Sequence, residues 1–211
     1  MRSTPNQKYE ITDIAHESYP FLHRIRARKD IGSQVNAGDL GGFVEGESNL
    51  SFEPGDDAWL FDDAIAAGAA YVDQGSCLRG NAVACDSAYV SRGSILSGNA
   101  RAEDNAYLRG AVMTGDTLAS GFAQLIQTPD RQGTPLLSGH CHVYGYVRGD
   151  VRTTGSAVIL PGEEICNDTR DTFVLTGKGR SVIRGSDRET RLPKGEVSAR
   201  EKRTKDRGRA S

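Results

Sequence analysis

Small residues recur at every sixth position along the middle of the chain: Ala58, Ala64, Ala70, Ser76, Ala82, Ala88, Ser94, Ala100 and Ala106. Two places after each comes a second set, Leu60, Ala66, Val72, Leu78, Ala84, Val90, Leu96, Ala102 and Leu108. In an extended chain, side chains two apart point the same way, so both sets predict the inward residues of short strands. The fifth and sixth places of each hexad favour Gly, Asn and Asp, as in Gly80-Asn81, Gly98-Asn99 and Asp104-Asn105. Those residues tolerate the dihedrals of tight turns, which predicts a corner every six residues. The second set also repeats as Leu-Ala-Val, so three hexads make one turn of a triangular coil, with like residues stacked about 4.8 Å apart. Alanine richness alone would suit a helix. Apolar positions at +2 and +4, with Gly at corner spacing, do not fit helical periodicity.

On either side of the array the pattern changes. Tyr9-Glu10-Ile11 and Phe21 to Arg28 predict two strands, placed over residues 1–36 as a cap on the open end of the coil. The coil is expected over 37–185, beginning with Gly42/Val44 and Ser48/Leu50 in hexad spacing. Loops are expected near 53–57, where ten residues separate Leu50 from Leu60, and at 113–136, which includes Thr128-Pro129-Asp130. The register resumes at Gly145-x-Val147, three residues out of phase. Thr172 to Leu175 and Ser181 to Ile183 are expected to close the far end, and 186–211 is expected to be a disordered basic tail.

An aliphatic residue followed four places later by a small one, as in Leu60 to Ala64 and Leu78 to Ala82, resembles the hexapeptide-repeat family. That resemblance implies an all-β fold, the left-handed parallel β-helix, and a homotrimer; the left hand comes from the resemblance and not from the spacing. Arg24-Ile25-Arg26-Ala27 followed by Gly38-Asp39-Leu40-Gly41-Gly42-Phe43-Val44 is similar to hexapeptide-repeat proteins carried by phages, prophages and some enteric bacteria. Acyl transfer from an acyl-CoA donor is the activity that the wider family most often implies.

Composition agrees with a coil of small inward residues. Only 37% of the 211 residues are hydrophobic and 7% aromatic, against 25 Gly, too little bulky material for an ordinary aliphatic core. Neither a long apolar run nor a secretory leader is evident, which leads us to expect a cytoplasmic protein without membrane contact. Four cysteines without a CxxC pair are expected to be free thiols. From Asp187 to Ser211 nine Lys/Arg stand against five Asp/Glu, a balance of +4; with the whole chain at -2, residues 1–186 carry -6. The body is therefore expected not to bind nucleic acid, and the tail alone has the charge for weak contact.

Outward residues fall into columns 18 apart. Tyr71, Tyr89 and Tyr107 form one, flanked by Asp73, Ser91 and Arg109; it predicts either an interface between copies or a stacking surface for a ligand. Trp59, Cys77 and Ile95 predict a second packing face. Arg24, Arg26 and Arg28 share one side of a strand and suit phosphate or carboxylate oxygens. His140 and His142, expected to point the same way on a strand, are the one candidate for a general base. Metal binding is not expected from four scattered histidines, and no phosphate-loop, dinucleotide or nucleophile-elbow motif is present. Three functions follow: a non-catalytic trimer binding a small anionic, nucleotide-like molecule in inter-subunit clefts, needing no cofactor; an acyltransferase using acyl-CoA; or a structural trimer.

Overall fold

A computed structural model describes residues 5–130 and 133–185; the expected tail, 186–211, lies outside the described residues. The chain is a parallel β-solenoid of about 7 turns, consistent with a hexapeptide-repeat β-helix. Its strands form three sheets of nine, eight and six strands, which are the faces of a triangular prism. The hexads lie where the spacing predicts. Ala58, Ala64, Ala70, Ala82, Ala100 and both Ser76 and Ser94 have no exposed surface, and the Leu60 to Leu108 set is equally buried. Like residues stack in register, Leu60 on Leu78 on Leu96 and Ala66 on Ala84 on Ala102. The inward serines are satisfied locally, Ser94 Oγ donating to Ser91 O at 2.7 Å and Ser94 N to Ser76 Oγ at 3.1 Å, whereas the Thr117 and Thr153 hydroxyls have no partner among the described residues.

Corners carry the left-handed backbone that the Gly and Asp places anticipated. Asp62, Asp86 and Asp104 have φ between 54° and 59°, and so do two residues of other types, Gln74 at 50° and Arg92 at 56°. Such a conformation disfavours most side chains by roughly 1–2 kcal/mol, so Gln and Arg at a corner are unusual choices.

The stretch 113–136, expected as a single loop, instead continues the coil. Val112–Gly115, Leu118–Ala119 and Gln124–Ile126 are strands stacked on the turn below. Leu108 aligns with Leu125 and Leu125 with Val147, one place short of the 18-residue turn and then four places beyond it. A corner one residue tighter at Gly110, six extra residues between Leu125 and Leu137 and a corner two residues tighter at Tyr144-Gly145 together produce the phase shift. Only the bulge between Gln127 and Pro135 leaves the coil.

The first residues finish the lower end. Tyr9–Ala15 pairs antiparallel with His23–Ala27, which pairs antiparallel with Leu40–Val44; from Leu40–Val44 onward the nine-stranded sheet is parallel. Tyr9 meets Trp59 edge-on at 6.3 Å and donates its hydroxyl to Leu50 O at 2.9 Å. Trp59 is consequently buried, as are Ile31 and Val35 in the same cluster. The expected second packing face is thus covered at its foot by the chain itself, while Ile95 remains exposed. At the upper end Thr172–Thr176 adds parallel to Val151–Thr153, and Gly179–Ile183 folds back antiparallel.

Candidate functional site

The three prism edges differ. Every turn passes from the six-stranded to the eight-stranded sheet at one edge, and all three longer excursions occur there: residues 52–58, 127–135 and 168–171. Insertions confined to one edge of a solenoid commonly border a binding surface. We call this the loop edge.

Beside it runs the tyrosine column. Tyr71, Tyr89 and Tyr107 pair in register, with ring centroids 6.0 and 5.5 Å apart and planes 27° from parallel. Each ring covers its neighbour's face, so the ladder presents mainly edges to solvent, with Gln124 in register above Tyr107 and the Glu47–Asn49 turn packed below Tyr71. The Tyr89 hydroxyl donates to Asp73 Oδ2 at 2.7 Å. Burial and then the Asp73 carboxylate push the Tyr89 phenol up, against the pull of Ser91. Asp73 is only 8% exposed, and its other oxygen, Oδ1, has no hydrogen-bond partner.

At the foot of the ladder lies a cleft of about 520 Å³, between Tyr71 and Asp73 on one side and Glu53 to Asp57 on the other. The wall is fixed by Asp56, whose carboxylate accepts from the backbone of Ala58, Gln74 and Gly75 at 2.8–2.9 Å. Burial opposes ionisation of Asp56, but Ser51 and those three N–H groups outweigh it and hold the carboxyl below its usual range. Beneath the wall, Lys8 Nζ donates to Ser51 O at 2.8 Å, and burial lowers its pKa to about 8.

Higher on the edge, Arg109 continues the Asp73–Ser91 column, since it pairs with Ser91. Arg92 occupies the corner above Gln74, with Gly93 N donating to Gln74 O. Neither guanidinium has a partner among the described residues. The three strand arginines are different. Arg24 donates to Gly41 O, Asp62 O and Asp63, and covers the Phe43 ring at 4.2 Å. Arg26 pairs with Glu10, and Arg28 with Asn6 O and Glu10. As anion sites they are already occupied from within.

The histidines do not share a strand. His140 stands at a corner between the eight- and nine-stranded sheets, because Gly139 with φ 81° turns the chain there, whereas His142 is in the strand His142–Val143. His140 Nδ1 lies 3.1 Å from Asp116 Oδ2. It ends a polar ladder along this edge: Asn81 donates to Asn99 and Asn99 to Asp116. His142 lies edge-on to Tyr144 at 6.4 Å. Cys85 is pushed up to about 12 by burial and by Asp86, so it is a poor nucleophile. Among the described residues no group of three His, Cys, Asp or Glu is placed to hold a metal, and no helix is long and apolar enough to cross a membrane.

Sequence reasoning passed over Arg92, the acceptor on Asp73 and the apolar side of the nine-stranded sheet. The signal for Arg92 was its type: an arginine where the hexad otherwise asks for Gly, Asn or Asp. On the nine-stranded sheet Ile65, Val83, Leu118 and Val158 share one outward column, interrupted by Arg101 and His142.

Fold and geometry together define a parallel β-solenoid with one loop-bearing, partly unsaturated edge. In comparisons with known proteins, no family model matches the chain and no curated protein matches it.

Proposed function

We propose that this protein captures, without catalysis, a small anionic, nucleotide-like molecule along its loop edge. The observation that carries this reading is the contrast among its arginines: Arg92 and Arg109 are unpaired beside a tyrosine ladder, while Arg24, Arg26 and Arg28 are spent on the protein's own oxygens. Unpaired guanidiniums suit phosphate oxygens, and tyrosine rings suit a base. In keeping with the family resemblance, three copies associate, here through the outward column of Ile65, Val83, Leu118 and Val158, which Arg101 and His142 interrupt. The loop edge is opposite that face, so the site belongs to one chain and stays open, in place of the inter-subunit cleft expected from sequence. The setting is the cytoplasm, phage- or prophage-borne as the amino-terminal resemblance implies.

Calorimetry and thermal shift with a panel of linear and cyclic nucleotides test the reading. Saturable binding that Arg109→Ala weakens supports it, and absence of both heat and shift across the panel overturns it. Sedimentation tests the assembly: wild type should run as a trimer and Leu118→Arg as a monomer. A trimer with no ligand would favour a purely structural role.

A second reading rests on His140, whose Nδ1 contact with Asp116 is the arrangement that orients a general base. As an acyltransferase the protein would turn over acyl-CoA, and His140→Ala with His142→Ala would stop it. Unchanged turnover in that variant would remove both as the base.

A further inference from the structure

Turn residues occupy most corners of the coil, but one corner between the nine- and six-stranded sheets reads Gly121-Phe122, and Phe122 is 78% exposed. Gly121, at φ 68°, supplies the left-handed residue there, so the bend itself asks for no ring beside it. Phe122 stands at a cleft of about 350 Å³ lined also by Tyr144, Tyr146, Pro161, Glu163 and Glu164. Leu160, next to Pro161 in the chain, is 60% exposed. Clustered apolar surface rimmed by carboxylates marks a contact surface.

Charge indicates what covers it. Glu163 is engaged by Arg180 and by the backbone N–H of Leu160. Glu164 is exposed and has no partner among the described residues. Aromatic rings beside a free carboxylate suit an apolar segment that carries cations.

The chain holds such a segment within reach. Gly185 N donates to Asp171 Oδ1 at 2.9 Å, and Asp171 O accepts from Asn167, the last residue of the strand Glu164–Asn167. Residues 186–211, outside the described residues, thus begin at one end of that strand, and the cleft lies at its other end. Four residues of strand span about 13 Å, and residues 186–191 extend to about 20 Å. A second cleft of about 340 Å³, lined by Ile165, Cys166, Phe173 and Val182, shares Glu164 with the first and lies along the way. Leu192-Pro193 then falls at the aromatic cleft, between Arg191 and Lys194.

We propose that Arg191-Leu192-Pro193-Lys194 of the same chain docks in this cleft. Leu192 and Pro193 pack on Phe122 and the two tyrosines, as proline does in aromatic-lined grooves, and a flanking cation meets Glu164. On the way the tail covers Glu164–Asn167, the last strand of the six-stranded sheet. Nucleotide capture at the loop edge plays no part in this contact.

Trypsin digestion of the full chain, followed by mass spectrometry, tests the proposal. Cleavage after Arg191 and Lys194 should be roughly tenfold slower than in a free peptide of residues 187–211, because the protease cuts only the undocked fraction. Cleavage after Arg203 should match the peptide. Phe122→Ala, at an exposed side chain, should raise both slow rates to the peptide's values, and Leu192→Ser, which leaves the coil untouched, should do the same at Lys194. Equal rates in wild type and peptide overturn the proposal. So does protection that survives both variants, which comes from closeness to the coil alone. Protection lost on dilution also overturns it, by giving the cleft to the tail of a second copy.

Discussion

Two edges of the prism are built from the same hexad and have opposite characters. Along the edge joining the eight- and nine-stranded sheets, every corner is short and the exposed side chains bond one another, Asn81 to Asn99 at 3.2 Å, Asn99 to Asp116 at 2.7 Å and Asp116 to His140 at 3.1 Å. Even its foot is closed, by Arg24 on Asp63. The loop edge has excursions, the buried Asp73 Oδ1 without a donor and, among the described residues, Arg92, Arg109 and Arg170 without an acceptor, whereas the other edge leaves the buried Thr117 Oγ1 unpaired. Saturation makes an edge a seam of the fold. Unsatisfied groups cost stability in the free protein.

The largest expected break of this contrast is in the glycines. A Cβ at Gly139 would meet Gly155 backbone at 3.0 Å with φ at 81°, whereas Gly93 on the loop edge has open space around it. Gly139→Ala should therefore destabilise by about 2–3 kcal/mol, combining strain with overpacking. Gly93→Ala should cost about 1 kcal/mol, the strain alone. Urea melts of the two variants compare them, and equal losses would erase the distinction between the edges.

Next come the arginines. Arg92→Ala or Arg109→Ala should weaken nucleotide binding about tenfold with no change in the urea midpoint. Arg24→Ala should do the reverse, losing about 1–2 kcal/mol of stability with unchanged affinity.

Within the saturated edge, Asn99→Asp places a carboxylate beside Asp116 and removes a donor from it. A loss of about 1 kcal/mol at pH 7 is expected, recovered as the pH falls through the carboxylate range, and thermal melts against pH show it.

A pH effect is expected at the foot of the loop edge. Lys8 has its pKa lowered to about 8 by burial, while in the unfolded chain it stays near 10.5. Between those values the unfolded chain binds more protons at this group, so stability should rise with pH from about 8 to 9. From about pH 9 unfolded cysteines ionise while burial holds the Cys85 thiol protonated, which offsets the rise, and above 10 unfolded tyrosines ionise while burial holds Tyr9 protonated, so stability falls again. Lys8→Met should flatten the rise and leave the fall.

Much of the fold was legible because stacking repeats its demands. Ala58 to Ala106 must be small at each turn, and Gly80, Gly98 and Gly155 must pass each corner, so the period is written many times over. The coil from Val112 to Ile126 was missed because shortening one corner by a residue moves every later position out of phase without unmaking a strand. The site was half legible. Column arithmetic placed Tyr71, Tyr89 and Tyr107 together, since in-register stacking converts sequence spacing into contact. It could not tell that Arg24 would reach Asp62 O and Asp63, or that His140 would leave the strand at Gly139, because those depend on how the cap and the corners fold back across turns.

The antiparallel strands at the two ends have a consequence for growth. A parallel coil is a template that invites another copy to continue its hydrogen bonding end on end, as cross-β fibres do. Here Tyr9–Ala15 and His23–Ala27 reverse the chain direction below the nine-stranded sheet, and Gly179–Ile183 reverses it above the eight-stranded one. A second molecule approaching either of those sheet ends meets a strand of the wrong polarity for the repeat. The coil thus carries a terminator at each end, one on the nine-stranded and one on the eight-stranded sheet.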